Sequence, residues 1–399
     1  MSRWRGVGPG LIITAAFIGP GTVTTATLAG ANFGAALLWT LLFATLATMV
    51  LQEMSARLGL ATGAGLGQAL RATPGPRWLG GLLAALAVAA VVIGAAAYEA
   101  GNLTGAGLGL AGAAGFTPRA WIAGGAVTAA ILLWTGRYRL VERVLVACVA
   151  VMGIVFLLTA VLVIPRVPAI LSGLALPRLP PGAGLTALGL VGTTIVPYNL
   201  FLHAAAVCER WEGADDLPAA RLDLVLAIGL GGIVSAAIVV TAAAVLDARE
   251  IHSASDMAAQ LGPLLGPWAA KAFTLGFAAA GLSSAITAPL AAAYATLDVL
   301  GHGRDIRAPL ARAVFGGTML IGAVVALLGT RPVPLILAAQ VLNGLVLPIV
   351  AVVLLIAMND RRRLGTHVNG WWANLLGGVV VVLTLALGVR AVVGVVWGG

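Results

Sequence analysis

Charged residues are scarce in this chain, and acidic residues are the scarcest. Asp and Glu together number 14 among 399 residues, charged residues of both signs make up 9% of the chain, and 60% of the residues are hydrophobic. A soluble globular protein carries about 25% charged residues, so most of this chain does not face water. The composition indicates an integral membrane protein, surrounded by a lipid bilayer and without a separate soluble domain.

Cysteine is almost absent, and the basic residues are dispersed. Cys148 and Cys208 fall on predicted helices without CxxC spacing, so we expect two buried, inert thiols. The net charge of +9 comes from arginines that are spread over the loops and do not form one basic face. We therefore expect no nucleic-acid partner, and nothing in the composition points to a cofactor other than a possible bound Na⁺.

Apolar stretches recur along the whole chain. A helix needs about 20 apolar residues to cross a bilayer, and the pattern predicts an all-α membrane protein with eleven transmembrane helices. The predicted spans are residues 7 to 30, 34 to 58, 79 to 110, 119 to 135, 140 to 164, 184 to 208, 222 to 246, 266 to 298, 309 to 329, 333 to 357 and 369 to 396. Most of the 23 basic residues fall on the side of the N-terminus, which predicts a cytoplasmic N-terminus and an external C-terminus at the cell membrane.

Two spans are interrupted by glycine and proline with threonines beside them. AAFIGPGTVTTATLAGA (15 to 31) is expected to unwind at 19 to 22, and GLVGTTIVPYNLFLHAA (189 to 205) at 193 to 197. Breaks in the first and sixth spans are typical of inverted five-helix repeats, although glycine and proline also produce plain kinks. We expect one transmembrane transporter domain over residues 1 to 399, with repeats at about 7 to 165 and 184 to 357 and an extra helix at about 369 to 396.

The chain also resembles a known family. The run GPGLIITAAFIGPGTVTTATLAGANFGAALLWTLLFATLATMVLQEMSARLGLATG is similar, nearly position for position, to the start of Nramp-family metal transporters. Shorter similarities follow in GTTIVPYNLFLHAA, AAGLSSAITAPLAA, QVLNGLVLPI and NDRRRLGTHVNGWW. The resemblance implies a LeuT-type fold with helices 1 and 6 broken, and secondary active transport by alternating access.

The metal-binding motifs of that family are altered here. On helix 1 the family has Asp-Pro-Gly-Asn, and the same four positions in this chain are Gly19, Pro20, Gly21 and Thr22. On helix 6 the family has Ala-x-x-Met-Pro-His, and the four specified positions of that motif are Thr193, Val196, Pro197 and Tyr198 in this chain. The carboxylate, the thioether and the imidazole that would hold a metal ion are absent. We therefore expect no metal site, and a substrate other than Mn²⁺ or Fe²⁺.

The predicted substrate site consists of helix ends and polar side chains at the two breaks. Half-helix N-termini carry partial positive charge and free N–H donors, which favours a small anion, with bicarbonate as the first choice, coupled to Na⁺ or H⁺. The alternative is a divalent metal ion (Mg²⁺ or Mn²⁺), proton-coupled or uncoupled, and a neutral polar solute would also suit hydroxyls. The predicted binding residues are Gly19, Gly21, Thr22, Thr24, Thr193, Val196, Tyr198, Asn199 and Gln340.

Further residues are candidates for coupling. The resemblance to LeuT-type transporters implies Na⁺ binding at Ala16, Gly19, Ala280, Ser283 and Ser284, although helix packing explains these small residues equally well. Glu99 lies deep in the third span, where an unpaired carboxylate is costly, and is a proton-relay candidate, either protonated or paired. His203 is the second candidate, with interhelical hydrogen bonding as its alternative role.

Two other functional classes are alternatives to a carrier. An intramembrane serine hydrolase that used Ser283 and His203 would need a setting such as GxSxG around its nucleophile, which the sequence lacks. A receptor or sensor descended from a transporter would keep the fold without solute flux.

Overall fold

Every regular element of the described chain is a helix. The computed structural model describes residues 18–71, 77–136, 139–163, 167–246, 250–302, 305–329 and 331–397. The main helices are α1 (Pro20–Phe33), α2 (Leu38–Thr62), α3 (Arg77–Ala114), α4 (Pro118–Thr135), α5 (Arg139–Leu162), α6a (Gly184–Thr194), α6b (Pro197–Arg210), α7 (Leu217–Val245), α8 (Ala269–Leu300), α9 (Pro309–Leu328), α10 (Pro332–Met358) and α11 (Trp371–Trp397). Short helices at Leu66–Arg71, Val167–Ala175, Ala254–Ala258, Gly262–Leu265 and Arg361–Leu364 lie between them.

The helices are long enough for a multi-span membrane protein. Within the described ranges, nine helical stretches are long and apolar enough to cross a bilayer, with α6a and α6b together forming one of them. The other two of the eleven predicted spans are α1, of which 14 helical residues are described, and α4, which has 18. The prediction of an all-α, multi-span membrane protein is confirmed.

The outward surfaces of several helices are apolar and suit contact with lipid. On α5, Val151 and Val161 are 61% and 66% exposed, and a contiguous apolar surface of this kind is stable in hydrocarbon. Cys148 lies exposed on the same helix. The expectation of two buried thiols is therefore wrong for Cys148, because α5 lies at the periphery of the bundle; Cys208 is half-buried and donates to the carbonyl oxygen of Gly59.

The sixth span is interrupted over two residues, fewer than predicted. Ile195 (φ −100°, ψ 87°) and Val196 (φ −86°, ψ 118°) are non-helical, and α6b begins at Pro197. Proline suits the first helical position because it has no N–H to leave unpaired there. The predicted break at 193 to 197 therefore shortens to 195 and 196, with Thr193 and Thr194 still in α6a.

The second half of the first span begins earlier than predicted. Gly19 is extended (φ −95°, ψ 177°), and α1 begins at Pro20, so Gly21 and Thr22 are helical and not unwound. Proline again sets the start of the helix. The residues that precede Ile18 lie outside the described ranges, so the first half of this span is not part of the description.

Glycines bring the helix backbones together around the two breaks. A Cβ built on Gly192 of α6a would lie 2.0 Å from the carbonyl oxygen of Gln340 on α10, and one on Gly281 of α8 would lie 2.7 Å from the carbonyl oxygen of Asn102 on α3. Only glycine permits such contacts, which are common between membrane helices. The interrupted helix is therefore held directly against α10.

We predict that Gly192→Ala destabilises the protein, because the added methyl group would overlap the α10 backbone. Overpacking of this kind typically costs about 1–3 kcal/mol. Gly124→Ala is the matched control, since a Cβ there meets nothing within 4 Å. The thermal unfolding midpoint in detergent should fall for Gly192→Ala alone; equal midpoints for the two variants would contradict the close contact.

Candidate functional site

Three side chains from three helices meet at the end of α6a. The hydroxyl of Thr22 on α1 lies 2.8 Å from that of Thr193. Tyr98 of α3 donates to the carbonyl oxygen of Thr193 at 3.2 Å, and its hydroxyl lies 3.3 Å from the Thr193 hydroxyl. All three residues are at most 1% exposed. The two predicted binding residues Thr22 and Thr193 are thus brought together and hydrogen-bonded.

Amide side chains border this cluster. Gln340 of α10 packs against Gly21, where an added Cβ would lie 2.3 Å from its Nε2. Its Oε1 has no hydrogen-bond partner among the described residues, and the same holds for Oδ1 of Asn199 in the first turn of α6b. Tyr198 packs edge-on against Tyr98, with 5.9 Å between ring centroids. These predicted residues therefore lie around the break, and Val196 forms part of the break itself.

Several buried hydroxyls near the breaks also lack partners within the described part of the chain: Thr24, Thr25, Thr194 and Ser284. A buried polar atom without a partner costs about 1–3 kcal/mol, so such a group is normally matched by a ligand, an ion or water. The unpartnered atoms of these four residues, and those of Gln340 and Asn199, are all oxygens. The arrangement can coordinate a hard cation directly or through water.

The helix ends at the break carry opposite partial charges. The N-termini of α1 and α6b are positive, whereas the C-terminus of α6a is negative and presents carbonyl oxygens. Two of these carbonyls accept only long side-chain hydrogen bonds, that of Thr193 from Tyr98 and that of Thr194 from Thr48 at 3.3 Å. Carbonyls at half-helix C-termini are typical cation ligands in broken-helix transporters.

Glu99 is a fully buried carboxylate, 0% exposed, beside Tyr98 on α3. Its Cβ and Cγ pack against Gly322 of α9, where an added Cβ would lie 2.6 Å and 2.5 Å from them. Asn102 lies one turn away and interacts with it, but neither carboxylate oxygen has a hydrogen bond of good geometry to any described residue. Glu99 also lies close enough to Tyr198 to interact with it electrostatically. A carboxyl group buried in this way carries negative charge only when it is ionised.

The other coupling candidates are only partly brought together. A Cβ on Gly19 would lie 3.1 Å from Oγ of Ser284, so these two residues are adjacent. Ala280 and Ser283 are buried on the same helix, α8, whereas Ala16 lies outside the described residues. His203 is buried on α6b, and neither ring nitrogen has a partner within the described ranges.

Two of these polar residues were not predicted as site residues. Tyr98 and Asn102 are buried at or near the breaks, whereas Thr25 and Thr194 belong to the threonines that the sequence places beside them. Their signal was available, since each is a polar residue inside an apolar span, where such residues are costly. The sequence does not show which way each of these side chains points, because that direction depends on how the helices pack.

The described ranges contain no cluster of the side chains that most often bind metal ions. No three His, Cys, Asp or Glu residues come together there. A cation would have to be bound chiefly by neutral oxygens, with Glu99 as the nearby carboxylate.

The chain is similar over nearly its whole length to a known family of transporters. The model of a family described as natural resistance-associated macrophage protein-like matches residues 10–394. The chain belongs to the Nramp family. A full-length relative, the divalent metal cation transporter MntH of Deinococcus radiodurans, is 30% identical over 96% of this chain and 88% of its own. This is a family of transporters, so the hydrolase alternative is excluded.

Solved structures confirm the LeuT-type fold of this Nramp chain. The manganese transporter of Eremococcus coleocola superposes with a TM-score of 0.75 at 23% identity, covering 97% of this chain and 86% of that one. MhsT in complex with L-phenylalanine superposes with a TM-score of 0.63 at 17% identity, covering 98% and 99%. One of these proteins is a manganese transporter and the other was crystallised with L-phenylalanine, so the fold does not by itself select a substrate.

The expectation of a small anion such as bicarbonate, to the exclusion of Mn²⁺ and Fe²⁺, is wrong. It is contradicted by the full-length relative, which is named as a divalent metal cation transporter. The physical error was to consider only the positive helix N-termini. The C-terminal carbonyl end of α6a lies at the same break and contributes partial negative charge, which offsets the positive N-termini. Likewise, nothing in these comparisons supports Na⁺ as the coupling ion.

We predict that Thr193→Val lowers stability, because it removes the hydroxyl that links α6a to Thr22 and Tyr98. Each buried hydrogen bond contributes about 0.5–1.5 kcal/mol. Thr193→Ser keeps the hydroxyl and is the control. The unfolding midpoint of Thr193→Val in detergent should lie below that of Thr193→Ser, and a Thr193→Val protein as stable as Thr193→Ser would contradict the network.

Proposed function

We propose that this Nramp-family protein transports a divalent metal cation, Mn²⁺ or Mg²⁺, across the membrane by alternating access at the break of helices 1 and 6. The observation that carries the proposal is the set of buried, unpartnered oxygens at the break, together with the carboxylate of Glu99. The name of the full-length relative supports the same substrate class.

The chemistry of the donors supports hard cations. Carboxylate, carbonyl and water oxygens suit Mg²⁺ and Mn²⁺, and Mg²⁺ usually keeps several waters when a protein binds it. Oxygens of Gln340, Asn199 and Thr194 would contact the ion directly or through retained water, and the α6a carbonyls would complete the shell. Because Val196 replaces a thioether, the site has no soft ligand that would favour Cd²⁺ over these ions.

Glu99 has a distinct role in this proposal. A carboxylate buried in hydrocarbon is stable when it is protonated or when a cation balances it. The arrival of a divalent cation at the neighbouring break would favour the ionised form through Coulomb attraction. Glu99 would therefore link its protonation to cation occupancy, with His203 on α6b as a second group that could hold a proton.

The membrane arrangement in this proposal follows the sequence pattern. The inverted repeats would comprise about 7 to 165 and 184 to 357, with α11 as the additional helix, and the site would lie between the repeats near the bilayer midplane. The concentration of arginines on one side supports a cytoplasmic N-terminus, and we propose uptake into the cell as the physiological direction.

We predict saturable Mn²⁺ uptake into proteoliposomes, with Mg²⁺ as a competitor, and a loss of apparent Mn²⁺ affinity in Glu99→Gln. The expected loss is about 10- to 100-fold, the range caused by removing a carboxylate that supports a metal site. Uptake should also depend on pH in the native protein and lose that dependence in Glu99→Gln.

The control for this experiment is Glu250→Gln, which removes a carboxylate that is 87% exposed and paired with His252. It should leave uptake unchanged. If the native protein shows no saturable flux of any divalent cation while a purified relative does so under the same conditions, the proposed substrate class is wrong.

We also predict that Gly19→Asp raises the apparent affinity for Mn²⁺ by about tenfold or more, since affinity for hard cations increases with the number of charged ligands. The backbone of Gly19 is extended, and only Oγ of Ser284 crowds the new Cβ position. Gly19→Asn has the same shape without the charge and serves as the control. Equal affinities for the two variants would show that a cation does not approach Gly19.

A further inference from the structure

A second polar site lies at the ends of α4, α8 and α9, away from the helix breaks. A cavity of about 280 Å³ is lined by Leu133, Trp134, Gly136, Tyr294, Ile306, Arg307 and Arg312. It is bordered by the last residues of α4 and the first turn of α9, so it lies where membrane-spanning helices reach the bilayer surface. Its two arginines give it a positive charge that the transport site does not have.

The arginines are available to an anion. Arg312 is half-buried, and its guanidinium lies 4.8 Å from the centre of the Trp134 ring. Neither Arg307 nor Arg312 forms an ion pair with any residue that the structure describes. The carboxylate nearest in sequence, Asp305, accepts a hydrogen bond from the backbone N–H of Arg307 at 2.9 Å and is not among the lining residues.

Side-chain packing holds the wall of this cavity in a defined position. Trp134 packs edge-on against the buried ring of Phe315, with 6.1 Å between centroids, and this contact fixes the surface on which Arg312 rests. A guanidinium that is stacked in this way keeps its N–H groups pointing outward for bidentate contact with phosphate. The first turn of α9 begins beside it at Pro309 without a side-chain cap, which adds partial positive charge.

The surroundings of the cavity are apolar and suit lipid chains. Trp134 is itself 57% exposed, as is Ile131 one turn earlier on α4, and Leu320 on α9 is 65% exposed. A Cβ at Gly316 of α9 would meet nothing within 4 Å, so there is open space on that helix one turn from Arg312. Tryptophan at a helix end is typical of the headgroup level.

We propose that this cavity binds the phosphate headgroup of an anionic phospholipid, with Arg307 and Arg312 as its ligands and the acyl chains against α4 and α9. Basic pockets between membrane helices are suited to such headgroups. Free phosphate has the same charge chemistry, but the adjoining exposed apolar surface favours an amphipathic ligand. The inference does not depend on which ion the protein transports.

The test measures lipid binding to the purified full-length protein in detergent. Phosphatidylglycerol should raise the unfolding temperature saturably, whereas phosphatidylcholine with the same chains should not. Each arginine near an anionic headgroup contributes about fivefold in affinity, so Arg307→Gln/Arg312→Gln should weaken phosphatidylglycerol binding by about 30-fold. Arg361→Gln/Arg362→Gln removes two exposed arginines elsewhere and should leave it unchanged.

A further variant separates a loss of lipid binding from misfolding of the Arg307→Gln/Arg312→Gln variant. Arg312→Lys keeps the charge but loses the planar, stacked group, and it should weaken binding while it leaves the unfolding temperature without lipid unchanged. The proposal is overturned if phosphatidylglycerol binds both double variants equally or phosphatidylcholine stabilises the native protein as well. Displacement of the lipid by an equal concentration of inorganic phosphate would identify a free-phosphate site instead.

Discussion

The interruption of α6 is the constraint on which the rest of this structure depends. Ending a helix inside a bilayer leaves backbone carbonyls and side-chain hydroxyls where no lipid can satisfy them. The protein meets this with Tyr98 and Thr48, which donate to the last carbonyls of α6a, and with Thr22, which bonds Thr193. The glycines that bring α10 and α3 close to the breaks are part of the same solution, because those helices exclude lipid from the polar groups.

The sign of the charge at the break follows from which helix ends face it. A site formed only by helix N-termini would favour anions, but α6a contributes its C-terminal carbonyls, and Glu99 lies nearby without a basic partner among the described residues. The described arginines that form ion pairs, such as Arg57 with Glu53, lie at helix ends and not around the break. With Gly19 in place of the motif aspartate, the break presents partial charges of both signs from its helix ends.

Much of the fold could be predicted from the sequence, because span length and the positions of glycine and proline are local properties. The interruption at Val196 and the start of α1 at Pro20 follow from proline itself. Tyr98 and Cys148 show the limit of this reasoning. Whether a residue on a uniformly apolar helix faces the site or the lipid depends on which side packs against neighbours, and a helix without a polar face carries no such signal in its pattern.

In the proposed function, the substitutions at the family's motif would change the strength of the site more than its class. A carrier must release its cargo, so very tight binding is not an advantage, and neutral oxygens bind a divalent ion more weakly than carboxylates because they do not balance its charge. In this proposal Glu99, which is buried against Gly322, would supply that charge while the ion keeps part of its hydration. Mg²⁺ gives up water reluctantly, and a shell of hydroxyls and amides is suited to an ion that stays partly hydrated.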